Sequence, residues 1–184
     1  ELGIDFLSAS AHKFHGPKGV GFLYASYADF DSYLHGGDQE QKKRAGTENL
    51  ASIVGMVAAL KEDLKYQVEH YQKLSALKAT FLEEIVDLDY YLNESNHQLP
   101  YVVNIGFPGQ KNDLLLLRLD LEGISISTGS ACTAGIVQTS HVLEAFYGPD
   151  SPRLKESVRI SLSPLNTEEE LKQLAQTLKN IIGD

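Results

Sequence analysis

The longest regular pattern in the sequence lies between Leu50 and Leu88, and it constrains the fold more than any other feature. Apolar side chains recur there at the spacing of one face of an α-helix. The pattern predicts one long amphipathic helix, or two in line, which ends near Leu88 and which Thr47 can cap at its start. A helix of this length usually links two bodies or spans one face of a domain. The residues that carry the pattern are Ile53, Val54, Val57, Leu60, Leu64, Val68, Tyr71, Leu74, Phe81 and Ile85.

Composition places the chain among ordinary globular proteins. Its 184 residues suffice for one domain or slightly more, and 42% apolar with 22% charged residues is typical of a soluble protein. The net charge of −9 argues against a nucleic-acid partner, since phosphate backbones attract clustered lysine and arginine. No stretch approaches the roughly 20 apolar residues of a membrane span, and the N-terminus has no signal-peptide pattern. We therefore predict a cytoplasmic protein with no membrane and no nucleic-acid partner.

Cys132 is the only cysteine of the chain. A lone cysteine excludes an internal disulfide and fits a reducing cytosol. It lies among small and polar residues between Gly129 and Gly135, a setting that favours an exposed, reactive thiol over a buried structural one. An incidental cysteine is the alternative. With one cysteine and six scattered histidines, the sequence predicts no metal site.

A second feature is the stretch from Ser8 to Gly19, where small residues lead to a His-Lys pair and then to a Gly-Pro-Lys-Gly turn. Ile4 to Ala11 and Val20 to Ala25 are predicted strands on either side of that turn. Two strands do not make a stable domain on their own. Because the sequence also lacks a starting methionine, we expect this pair to belong to a larger sheet in a longer protein.

The side chains of this stretch suit one type of ligand. Ser10 and His12 offer a hydroxyl and an imidazole, both of which can bind phosphate. A lysine held in a pocket can form a Schiff base with a carbonyl group, and from the residues alone either Lys13 or Lys18 fits that role. Pyridoxal phosphate (PLP) combines a phosphate with an aldehyde. A solvated lysine in a surface turn is the plainer alternative.

Residues from about 90 to 182 predict a small α+β domain with three strands and three helices. Gly123 is expected to end the first helix, and Thr167 with Glu170 forms a capping box for the last. The predicted strands are Tyr101–Phe107, Ile124–Ser127 and Ser157–Leu162. The predicted helices are Asn112 or Asp113 to Leu121, about Ser140 to Phe146, and a last one with the apolar face Leu171, Leu174, Ala175, Leu178, Ile181 and Ile182.

Arg159 stands in the middle of the last predicted strand, between valine and isoleucine. An arginine in that position either faces solvent, which is the default, or presents its planar fork to a carboxylate. The residues alone leave both alternatives open.

Four segments together resemble one family. The stretch from Ser10 to Tyr24 looks like the PLP-lysine segment of the NifS/IscS-type cysteine desulfurases, which belong to the class V aminotransferases. His35 to Asn49 resembles the segment of those enzymes that reaches the neighbouring subunit, and Ser127 to Thr133 resembles their catalytic cysteine loop. Ser157–Leu162 with Thr167–Glu170 resembles their last strand and helix. The segments follow in the same order and cover essentially the whole chain.

The resemblance implies a fold and a division into domains. The expected fold class is α/β, as the C-terminal part of a PLP fold type I transferase with a small α+β domain. Residues 1–46 would be the remnant of the large PLP-binding domain, 47–89 a long connecting helix, and 90–184 the small C-terminal domain with the cysteine loop. The N-terminal half of such an enzyme carries further groups for the PLP ring and phosphate, so we expect this chain alone to be inactive and free of PLP.

The resemblance also implies a reaction, in which a PLP enzyme converts L-cysteine to L-alanine and keeps the sulfur as a persulfide. The expected partners are L-cysteine, a protein sulfur acceptor in iron-sulfur cluster or thio-cofactor assembly, and a second subunit in a homodimer. Alternatives are another class V enzyme, such as a selenocysteine lyase or another β-lyase, and a non-catalytic dimerisation or acceptor-binding module. The resemblance implies that Lys13 is the Schiff-base lysine, that Ser10 and His12 bind the PLP phosphate, and that Thr47 reaches a PLP phosphate across a dimer interface. It also implies that Arg159 binds the substrate carboxylate and that Cys132 is the sulfur nucleophile.

Overall fold

The computed structural model of the chain describes residues 3–27, 30–95, 97–129 and 139–183. The chain divides into two compact units, Glu1–Gln67 and Val68–Asp184. Within the described ranges, no helix is both long enough and apolar enough to cross a membrane.

The first unit is built on an antiparallel pair of strands, β1 (Phe6–Ser10) and β2 (Gly21–Ala25). The pair confirms the two strands predicted around the His-Lys turn, each slightly shorter than expected. Ser10 lies opposite Gly21 in the register. Only glycine fits at position 21, because a Cβ atom there would overlap the carbonyl oxygen of Ala9 on the neighbouring strand. The close pairing fixes where β1 ends and the turn begins.

Helix α1 (Leu50–Glu84) is a single helix of 35 residues, and its residues fall in both units. The long periodic pattern is thus confirmed as one helix, which ends four residues before Leu88. Its cap differs from the prediction: the Asn49 side-chain oxygen accepts a hydrogen bond from the Ser52 backbone N–H at 3.3 Å. Thr47 lies two residues too early to reach the first turn of the helix, so Asn49 is the capping residue.

The second unit contains a three-stranded antiparallel sheet in the order β3–β4–β5. The strands are β3 (Tyr91–Leu92), β4 (Val102–Gly106) and β5 (Ser157–Ser161). The helices are α2 (Asn112–Leu121), α3 (His141–Tyr147), α4 (Arg153–Glu156) and α5 (Glu168–Gly183). One face of the sheet packs into the core through Val103, Ile105, Val158 and Ile160. The same core contains Phe81 near the end of α1, Ile85 just after it, and Leu115, Leu119, Leu174 and Leu178 of α2 and α5.

The predicted strand Ile124–Ser127 is wrong. The backbone N–H of Ile124 bonds to the Leu119 carbonyl at 2.9 Å and so completes the end of α2 beyond Gly123, which has a φ of +77°. Only Ser127 reaches the sheet, through an isolated bridge to Arg159. The third strand is Tyr91–Leu92 instead, and α4 is a fourth helix among the described residues of this unit; the sequence prediction missed both.

Two predicted helix starts are confirmed in atomic detail. The Thr167 hydroxyl accepts from the Glu170 N–H at 3.3 Å, and the Glu170 carboxylate accepts from the Thr167 N–H at 3.0 Å. This reciprocal pair is the capping box expected for α5. Ser140 caps α3 by accepting from the Leu143 N–H at 3.3 Å.

Candidate functional site

A short 3-10 turn, Ala11–Lys13, follows directly from β1 in the first unit. Ala11 is fully buried, whereas Ser10, His12 and Lys13 are exposed. The Ala11 carbonyl accepts from the N–H groups of Phe14 at 3.0 Å and Gly16 at 2.9 Å. The turn therefore displays a hydroxyl, an imidazole and a primary amine around one buried methyl group.

The return path to β2 holds this turn in place. A Cβ atom on Gly16 would lie only 2.9 Å from the Ala11 Cβ, so a larger residue does not fit at position 16. Pro17 packs against α1, where a Cβ on Gly55 would lie 2.8 Å from the proline ring. The Ala11 N–H closes the loop by donating to the Val20 carbonyl at 3.0 Å. Backbone hydrogen bonds and close contacts thus fix the turn in place.

The donor set of this turn fits PLP. Phosphate oxygens accept hydrogen bonds from hydroxyl and imidazole groups, and an aldehyde reacts with a primary amine. Thr47 lies in the same unit, in the exposed segment before α1. Since Asn49 caps the helix, the Thr47 hydroxyl is not used in the helix start, and it makes no hydrogen bond within the described part of the chain.

Arg159 occupies the middle of β5 in the second unit. Its backbone N–H donates to the Ser127 carbonyl at 2.6 Å, and its carbonyl accepts from the Ser127 N–H at 3.1 Å. The side-chain Nε is buried and has no hydrogen-bond partner among the described residues. Buried donors are rarely left unpaired, so this atom indicates an acceptor that is not part of the described chain.

Cys132 lies outside the described residues, in the gap between Gly129 and Thr139. The structure therefore brings Ser10, His12 and Lys13 together on one turn, and places Thr47 in the same unit and Arg159 in the other.

Polar residues on the sheet of the second unit were missed by the sequence reasoning. Asn104 lies opposite Arg159 in the register, and Asn93 bonds to Asn104 on its other side. One sequence pattern could have indicated them: in β4, Asn104 stands between the apolar residues Val103 and Ile105. Because alternate residues of a strand share a face, this pattern predicts that Asn104 lies on the face opposite its apolar neighbours.

Next to Asn93, the Arg153 guanidinium lies close to two aromatic rings. It is 4.0 Å from the ring centre of Tyr91 and 4.4 Å from that of Tyr147. The Tyr91 hydroxyl donates to the Glu156 carboxylate at 3.1 Å. Burial is the main cause that raises the pKa of Tyr91 to about 12.

The chain belongs to the class V aminotransferase family: the Aminotransferase class-V family model matches residues 1–174. Among curated relatives, it is 44% identical over 183 residues to a protein named putative cysteine desulfurase IscS 1 from Bacillus subtilis, covering 97% of this chain and 48% of the relative. It is 36% identical over 184 residues to the cysteine desulfurase NifS of Azotobacter vinelandii, covering 98% of this chain and 46% of the relative.

Solved structures give the same result for the fold. A NifS-like protein superposes with a TM-score of 0.87 at 31% identity, over 100% of this chain and 47% of its own. A NifS-like protein from Rickettsia africae gives 0.85 at 28% identity, over 100% of this chain and 49% of its own. The mixed helix-and-sheet fold predicted from the sequence is therefore confirmed as NifS-like. The chain spans about half the length of the curated relatives it matches.

Proposed function

We propose that this chain forms part of a PLP-dependent cysteine desulfurase, which converts L-cysteine to L-alanine and retains the sulfur as a persulfide. The observation that carries the proposal is the end of β1 with the turn Ala11–Lys13, where Ser10, His12 and Lys13 are exposed next to the buried Ala11. The names of the relatives, cysteine desulfurase in each of the two cases given, support the choice of L-cysteine as substrate.

Each residue of the turn has a task in this proposal. Ser10 and His12 would donate hydrogen bonds to the PLP phosphate, and Thr47 would add a donor across a homodimer interface. Lys13 would hold the cofactor through its Nζ atom, and its amine would move the proton of the substrate α-carbon. When bound, PLP supplies an electron sink for bond cleavage next to the substrate α-carbon. The Arg159 guanidinium binds the substrate carboxylate through the N–H donors of its planar group.

Cys132 carries the sulfur step. Its thiolate attacks the substrate sulfur, so that a new S–S bond forms while the bond between that sulfur and the substrate β-carbon breaks. The electron pair of the broken bond stays with the carbon, which takes up a proton and becomes the methyl group of alanine. The persulfide on Cys132 then passes its outer sulfur to a protein acceptor, in iron-sulfur cluster or thio-cofactor assembly.

The assignment of domains is part of the proposal. Residues 1–46 belong to the large PLP-binding domain, 47–89 form the connecting helix, and 90–184 form the small domain with the cysteine loop. Because PLP also needs groups for its ring, we propose that the 184-residue chain alone holds no PLP and is inactive. Stoichiometric PLP in the purified 184-residue chain, measured after alkaline release, would contradict this part.

The test of the cofactor site compares two lysines of one loop in the full-length protein. Lys13→Ala should lose bound PLP and release no sulfide from L-cysteine, because the amine that holds the aldehyde is gone. Lys18→Ala is the matched control: it removes an exposed lysine five residues further along and should keep both properties. Loss of PLP in Lys18→Ala, with retention in Lys13→Ala, would reverse the assignment.

The test of the sulfur step is Cys132→Ala. This variant should bind PLP at the stoichiometry of the parent protein and form no persulfide, because the receiving thiol is absent. Sulfide or selenide release that survives the change would favour a β-lyase or selenocysteine lyase. If Lys13→Ala retains the biological role of the protein, the chain acts as a non-catalytic dimerisation or acceptor-binding module.

A further inference from the structure

A row of polar side chains crosses the three-stranded sheet on the face opposite the core. Asn104 and Arg159 are directly paired in the register of β4 and β5. Asn93 continues the pairing of β3, because its N–H donates to the Asn104 carbonyl at 2.9 Å. Val103, Ile105, Val158 and Ile160 point into the core, so Asn104 and Arg159 share the other face. The row therefore runs in the order Asn93, Asn104, Arg159.

The hydrogen bonds in this row have a fixed direction. Arg153 Nη1 donates to the Asn93 side-chain oxygen at 2.7 Å, and a guanidinium can only donate. The Asn93 amide nitrogen must then face the other way. It donates to the Asn104 side-chain oxygen and to the Ser157 hydroxyl, both at 2.8 Å. The orientation of both amide groups is thus set by the arginine held between Tyr91 and Tyr147.

This direction leaves two neighbouring donors without an acceptor among the residues that the structure describes. The Asn104 oxygen is bound on the Asn93 side, so its amide nitrogen is turned away from Asn93. That nitrogen donates to no group within the described ranges, and its neighbour on the next strand is Arg159, whose buried Nε also lacks a partner there. A carboxylate offers about four acceptor positions on its two oxygens, enough for an arginine and an amide together.

We propose that Asn104 is a substrate-binding residue, which donates from its amide nitrogen to the carboxylate bound by Arg159. Arg153 and Asn93 are positioning residues that hold this amide in the donating orientation. The proposal rests on the proposed function, since it takes the ligand of Arg159 to be the substrate carboxylate. It predicts that the site recognises a carboxylate through residues on two neighbouring strands of one sheet and not through Arg159 alone.

The test measures binding of L-alanine, the proposed product, and of L-alaninamide, which lacks the carboxylate, to the PLP-loaded full-length protein by calorimetry. Asn104→Ala removes one hydrogen bond to a charged group and should weaken L-alanine binding about 10- to 100-fold, with little change for L-alaninamide. Asn104→Asp keeps the size and the acceptor for Asn93 but repels a carboxylate, so it should weaken L-alanine binding at least as much. KM for L-cysteine should rise in parallel, with a smaller change in kcat.

Variants of the positioning residue Arg153 should change L-alanine binding in a way that differs from the Asn104 variants. Arg153→Ala should weaken L-alanine binding by less than Asn104→Ala, and Arg153→Lys should restore part of the loss, because lysine can still donate to Asn93. Asn180→Ser is the control: it changes an exposed amide on α5 that bonds to Gln176 at 2.9 Å, and it should leave both ligands unaffected. Thermal unfolding of each variant separates lost binding from lost folding.

The outcomes distinguish this inference from the proposed function. If Arg159→Lys weakens L-alanine binding and neither Asn104 variant does, the inference is overturned and the proposed role of Arg159 stands. If none of the three variants changes the preference for L-alanine over L-alaninamide, both are overturned. If the preference depends on Asn104 and Arg159 but L-cysteine yields no sulfide, the carboxylate site stands and the desulfurase reaction fails.

Discussion

The ring of Tyr91 lies directly over Gly106, so close that a Cβ atom built on Gly106 would overlap the outer atoms of the ring. The two residues are paired across β3 and β4. Tyr91 also contacts the Arg153 guanidinium through its ring and donates a hydrogen bond to Glu156. The glycine thus provides the space in which an aromatic residue of a two-residue strand can lie flat on the sheet.

This contact predicts that Gly106→Ala is destabilising. The added methyl group would displace the ring from its position between its neighbours and disturb its contacts with Arg153 and Glu156. Overpacking of this kind costs about 1–3 kcal/mol in the free energy of unfolding. Gly183→Ala is the control, because nothing lies within 4 Å of a Cβ at that position. In a Tyr91→Ala background the cost of Gly106→Ala should nearly vanish in urea unfolding. An equal cost in both backgrounds would show that the ring is not the cause.

Tyr91 also predicts a loss of stability at high pH. Burial raises its pKa to about 12, above the ordinary value of about 10 for the unfolded chain. Between these values the folded chain holds a proton that the unfolded chain releases, so the stabilisation is complete below pH 10 and is lost as the pH rises towards about 12. Unfolding midpoints measured from pH 9 to 12 should fall less steeply in Tyr91→Phe. Parallel curves for the two proteins would contradict the raised pKa.

The capping box of α5 predicts an effect of Thr167→Ala. The change removes the acceptor of the Glu170 N–H and should lower the free energy of unfolding by about 1 kcal/mol, as for other helix caps. Thr167→Ser keeps the hydroxyl and should retain most of the stability. Chemical denaturation of the three proteins checks the expectation, and equal losses for alanine and serine would exclude the cap as the cause.

The partner residue of that box adds a pH dependence at the acid end. The pKa of Glu170 lies below its ordinary value, first because the Asn166 amide donates to the carboxylate and then because the Thr167 N–H does. A lowered pKa means that the stabilisation is present above the ordinary glutamate range and is lost as the pH falls through the folded value. Glu170→Gln should remove this part of the acid transition, whereas Glu169→Gln, on the exposed surface of the same helix, should not.

The start of α1 separates a structural residue from a candidate functional one. Asn49→Ala should cost about 1 kcal/mol of stability, because Asn49 caps the helix. Thr47→Ala should leave the unfolding midpoint nearly unchanged and instead weaken PLP retention in the full-length protein. A large loss of stability in Thr47→Ala would assign the threonine to the helix and remove the support for its role at the phosphate.

Features with a local signal could be predicted from the sequence. Helix α1 repeats its apolar pattern over 35 residues, and the capping box of α5 joins two residues only three positions apart. Strand β3 could not be predicted, since two residues carry no periodicity and pair only because β4 lies beside them. Ile124–Ser127 alternates like a strand, yet its first N–H is used by the end of α2.

The candidate site also has a part that could be predicted from the sequence and a part that could not. The small residues and the lysine around Ser10 and His12 are adjacent in the sequence, so their grouping could be predicted, although their roles stay predictions. The bond between Asn93 and Asn104 joins residues that are 11 positions apart and meet only through strand pairing. Which strands pair is decided by the packing of the core, and no local pattern in the sequence records it.

The fully buried Ala11 also has a consequence for how this turn tolerates change. In a saturation library selected only for folding, we expect the exposed neighbours Ser10 and His12 to accept many residues. Position 11 should accept little beyond alanine, because Ala11 is fully buried and even a Cβ atom added to Gly16 would lie only 2.9 Å from its methyl group. The least reactive side chain of the turn would thus be its most restricted one, and a designer who wishes to install new chemistry here should keep Ala11 and Gly16 and vary the exposed positions.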